Sequence, residues 1–61
     1  MPDYITRFIR RDGQPDEDYY YPSADLAIEH LELFREDDSN LYKKIIVLRL
    51  SPEKIIAQIE F

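Results

Sequence analysis

One segment, Ser23 to Arg35, decides what the rest of this chain has to be. Placed on a helix at roughly 100° per residue, Leu26, Leu33, Phe34, Ala27, Leu31 and Ala24 fall in one continuous arc, and Asp25, Glu29, Glu32 and Glu36 gather opposite. Such a helix needs a core on one side and water on the other. Ser23 suits the N-cap, where its hydroxyl accepts a hydrogen bond from a free first-turn amide. Asp25 adds negative charge near the positive end of the helix dipole. A lone short helix covers one side of something, and the flanking segments must supply it.

Those segments read as strands. Tyr4 to Arg11, YITRFIRR, is aromatic and β-branched and runs into the turn signal Asp12-Gly13. As a strand it places Tyr4 and Phe8 on one face and Ile5 and Ile9 on the other. A helix would also group these four, but it would stack Arg7, Arg10 and Arg11 near a short uncapped end. Tyr19 to Tyr21 forms a short strand stopped by Pro22, closing a hairpin across the acidic loop Asp12 to Asp18, with Tyr20 pointing opposite to Tyr19 and Tyr21. After the helix, Asp37 to Asn40 is a polar turn in which Asn40 can take the left-handed geometry usually left to glycine.

Leu41 to Leu50, LYKKIIVLRL, is apolar on both faces, as a central strand would be. Strict alternation puts Tyr42, Ile46, Leu48 and Leu50 on one face and Ile45 and Val47 on the other. Ser51-Pro52-Glu53-Lys54 then turns the chain, and Ile55, Ala57, Ile59 and Phe61 alternate with Ile56, Gln58 and Glu60. A terminal helix opened by Ser-Pro-Glu is the competing reading. The expectation is a single α+β domain over residues 1–61, in the order β-β-α-β-β. Its mostly antiparallel sheet carries the helix on one face. The expected core is Leu26, Ala27, part of His30, Leu31, Phe34, Ile46, Leu48, Ile59 and Phe61.

At 61 residues the chain is near the lower limit for folding without staples, and it has no cysteine to make them. Disulfides and thiolate zinc sites are excluded, and a reducing compartment is compatible. No apolar stretch matches a signal peptide or a membrane span, which makes the cytoplasm the expected location. The net charge of −5 is unevenly spread. Residues 1–11 carry +2, residues 12–40 carry −9 and residues 41–61 carry +2. Such polarity either steers a charged partner or simply solvates a face.

Few residues suggest chemistry. Ser23, Ser39 and Ser51 all sit at turns or caps, where serine has a local structural reason to be. His30 lies within the apolar arc, where a general base or a pH switch is possible but a packed, hydrogen-bonded ring is the simpler reading. The acidic loop lacks the ligand spacing of a calcium-binding loop. No catalytic residue, metal or cofactor is therefore expected. Arginines and tyrosines on strands would suit RNA, yet the charge of the middle segment opposes phosphate. The same acids would suit an acidic inhibitor or mimic aimed at a nucleic-acid-binding protein.

The preferred expectation is a non-enzymatic interaction module that self-associates. One helix leaves one sheet face open, and open antiparallel faces are ordinarily polar. Here the residues expected on it are Ile45, Val47 and Ile56, together with Ile5 and Ile9 or else Tyr4 and Phe8 from the first strand, and Tyr20 as an outward ring. An apolar patch of that kind marks an interface. Burying it would also stabilise a small chain that lacks staples.

Overall fold

A computed structural model describes residues 3–61. Its elements are β1 (Tyr4–Arg10), β2 (Glu17–Tyr21), α1 (Ala24–Glu32), β3 (Tyr42–Leu50) and β4 (Glu53–Glu60). The four strands form one antiparallel sheet in the order β2-β1-β3-β4, with α1 packed across one face. The fold is α+β, in the expected element order. The last segment is a strand, so the competing terminal helix is set aside.

Local chemistry accounts for the boundaries. Gly13, at φ +82°, turns the chain between β1 and β2. Asp12 braces that turn by accepting from the Gln14 amide at 3.1 Å and by pairing with Arg10. Ser23 caps α1, its Oγ accepting from the Leu26 amide at 3.4 Å. Asn40, at φ +63°, takes the left-handed conformation expected of it. The helix is shorter than its periodicity suggested. Beyond Glu32 the chain tightens into turns, with the amides of Phe34 and Arg35 donating to the carbonyls three residues back. Glu36, Asp37 and Asp38 follow there, and acids at a helix C-terminus oppose the dipole.

The core beneath α1 is Phe8, Ala27, Leu31, Ile45 and Val47, all buried. This corrects the expected assignment of the β3 faces. Ile45 and Val47 lie opposite Phe8 and Thr6 on β1, on the face that the helix covers. Ile46 and Leu48 belong to a separate cluster with Ile5 on the open face. Two irregularities move further residues off the faces that alternation gives them. Between Ile9 and Arg10 the register slips so that Lys43 is an extra residue and Tyr42 falls on the covered side. Between Val47 and Leu48, β4 carries the extra residue Ile56, which sends Ile55 to the open face while Ala57 and Ile59 stay on the covered one. Leu26 and Phe61, expected in the core, are exposed.

One polar contact ties helix to sheet. Thr6, fully buried on β1, donates through Oγ1 to the Ala27 carbonyl at 2.8 Å. A buried hydroxyl is tolerated only when it is bonded, and this bond sets the depth at which α1 sits.

Candidate interaction surface

The open face is built from every second residue of β1 and β3. Ile5 stands opposite Leu48, and Arg7 opposite Ile46. On the flanks, Tyr20 of β2 lies opposite Ile5, and Ile55 of β4 opposite Leu48. The central side chains Ile5, Ile46 and Leu48 are buried among their neighbours, with Ile9 and Leu50 packed beside them. The apolar surface that reaches water is concentrated at the rims, where Tyr20 is 57% and Ile55 48% exposed.

Charges on this face are matched. The Arg7 guanidinium makes a bidentate pair with Asp18, at 2.7 and 3.0 Å, and that carboxylate holds Arg7 above its ordinary pKa. Lys44 stands opposite Glu60 across β3 and β4. Glu53, opposite Leu50, is the remaining charge at these strand positions. The open face is thus close to neutral in a chain of net charge −5.

Of the residues expected on the open face, Ile5, Ile9 and Tyr20 are there, and Ile56 sits exposed at the β4 irregularity. Ile45 and Val47 are not. Both are fully buried against the helix, so neither is available to a partner. Ile46, Leu48, Leu50 and Ile55 take their place: alternation groups the first three on one face without saying which face the helix covers, and only Ile55 is displaced by an irregularity.

On the covered face, His30 joins an aromatic cluster centred on Phe8. The Phe8 ring lies 4.9 Å from His30, 4.9 Å from Phe34, 5.1 Å from Tyr42 and 5.5 Å from Tyr19, between centroids. Edge-on and tilted contacts of this kind are favourable beyond their buried area. The Tyr21 hydroxyl sits 2.7 Å from His30 Nδ1 and donates to it when the neutral ring carries its proton on Nε2. Burial lowers the His30 pKa, which favours that neutral form. Glu17 receives both Arg10 and the Tyr42 hydroxyl, at 3.2 and 3.3 Å. Burial, followed by the nearby Glu17 charge, raises the Tyr42 pKa.

Among the described residues, no three of His, Asp and Glu converge as metal ligands, and no helix is long and apolar enough to cross a membrane. Comparison with protein families, with curated proteins and with solved structures finds no match to this chain.

Proposed function

We propose that this chain is a non-enzymatic interaction module that works as a symmetric homodimer joined through the open face of its sheet. The carrying observation is the composition of that face: Ile5, Ile9, Ile46, Leu48, Leu50, Ile55 and Tyr20 share a surface that no helix covers. Half-solvated sheets alternate apolar inside with polar outside, and this one does not.

Charge favours a second copy as the occupant. Two molecules of net charge −5 repel, and they approach best where each is locally neutral. The open face meets that condition through Arg7 with Asp18 and Lys44 opposite Glu60. Four strands about 4.8 Å apart, with residues rising about 3.3 Å each, project roughly 500 Å² per face. Two such faces approach the roughly 1,200 Å² at which specific interfaces begin.

Analytical ultracentrifugation at about 100 µM tests this reading. The expected mass is twice the 7.4 kDa of one chain. The dimer is expected to tighten as salt screens the like net charge. Tyr20→Lys with Ile55→Lys, both at exposed rim positions, should give a folded monomer by circular dichroism. A wild-type chain that stays monomeric overturns the reading, as does a double variant that remains fully dimeric.

A further inference from the structure

We infer that the flank of α1 facing β2 is a second docking surface, and that its partner is a cationic amphipathic segment of another protein. Leu33 is 77% exposed, Leu26 45% and Tyr19 43%. Leu26 and Leu33 lie seven residues apart, two turns along the same flank and about 10 Å in rise. His30 stands between them, and its ring is 4.9 Å from that of Tyr19. The three exposed side chains therefore line one seam between helix and sheet edge. Single exposed apolar residues are ordinary, whereas a row of them beside a charged ridge has the make-up of a contact surface.

The ridge identifies the partner. Asp25 and Glu29 run along the helix beside the leucines and Glu36 follows in the turns just beyond it, and none has an ion-pair partner among the described residues. The other acids nearby differ, because Glu32 holds Arg35 and Glu17 holds Arg10. A second copy would bring ridge against ridge. Nucleic acid and anionic lipid are repelled in the same way. A segment with lysines or arginines along one edge and leucine-sized side chains along the next meets both halves of the surface at once. This surface lies on the opposite side of the sheet from the proposed dimer contact, so the two inferences stand or fall separately.

The probe is a fluorescein-labelled synthetic helix of about fourteen residues, made of lysine and leucine with the leucines on one side, read by fluorescence anisotropy. Binding in the micromolar range is expected, and it should weaken as salt rises. A peptide of the same composition with scattered leucines should bind at least about tenfold more weakly. Leu26→Ser with Leu33→Ser should cost a similar factor while leaving the circular dichroism spectrum unchanged. Lys54→Gln, on the β4 edge at the other end of the sheet from β2, should leave peptide affinity within about twofold. The inference is overturned if the scattered peptide binds as tightly as the amphipathic one, if the leucine variant binds like wild type, or if no binding occurs by about 100 µM. Loss of binding in Lys54→Gln would place the peptide at the β4 edge and overturn it too.

Discussion

His30, the residue that looks most chemical in the sequence, is held in the structure by aromatic packing and by the Tyr21 hydroxyl. It is the one histidine, it lies on the apolar side of its helix, and its ring is bounded by Phe8, Tyr19, Tyr21 and Phe34. Protonation would put a second N–H on the ring, facing the hydrogen that Tyr21 now donates, and would charge a ring packed against aromatics. Burial accordingly lowers its pKa from the ordinary 6.5. The unfolded chain then binds a proton at higher pH than the folded one does. Its contribution is therefore fully present above pH 6.5, declines as the pH falls from there to the folded-state pKa, and is constant below it. Urea melts at a series of pH values should show this slope in the wild type and lose it in His30→Gln. An equal slope in the variant would assign the dependence to carboxylates instead.

The elements themselves were largely legible in the sequence. Their order, the cap at Ser23, the turn at Asn40 and the last strand all followed from local chemistry that the structure retains. What escaped was which face of β3 the helix would choose. Both faces are apolar, so hydropathy does not rank them. The choice rests on Phe8 and Thr6, which direct the covered face toward Ile45 and Val47. Alternation also fails silently at an extra residue, and β3 and β4 each contain one. The helix docks through Thr6 as well as through apolar contact, and nothing in YITRFIRR singles that threonine out. Thr6→Val keeps the shape and removes the donor to the Ala27 carbonyl. It should cost about 1 kcal/mol, measured by urea unfolding with an unchanged m-value. A loss near zero would show that packing alone seats the helix.

At the scale of the whole molecule, the charge asymmetry along the chain is partly folded away. The arginines of β1 meet the acids that follow them, Arg7 with Asp18 and Arg10 with Asp12 and Glu17. Arg11 turns to the Tyr42 and Phe61 carbonyls, so the basic segment is spent on internal contacts. On the helix, Asp25 and Glu29 are left without such a partner. The sheet ends on one side in β2, short and acidic, and on the other in β4, which is longer and carries the extra residue Ile56. An exposed β4 edge is a template on which further chains can pair. Ile56 sits between Ile55, opposite Leu48, and Ala57, opposite Val47, and those two partners are themselves adjacent. Deleting Ile56 would therefore keep every remaining pair and every facing while making the edge straight. We predict a variant that folds like the parent but elongates into thioflavin-positive fibres on prolonged incubation, while the parent remains clear. If both stay clear, the irregularity protects nothing. If the prediction holds, one residue of no evident use to the folded molecule is what keeps a crowded solution of this protein from turning into a gel.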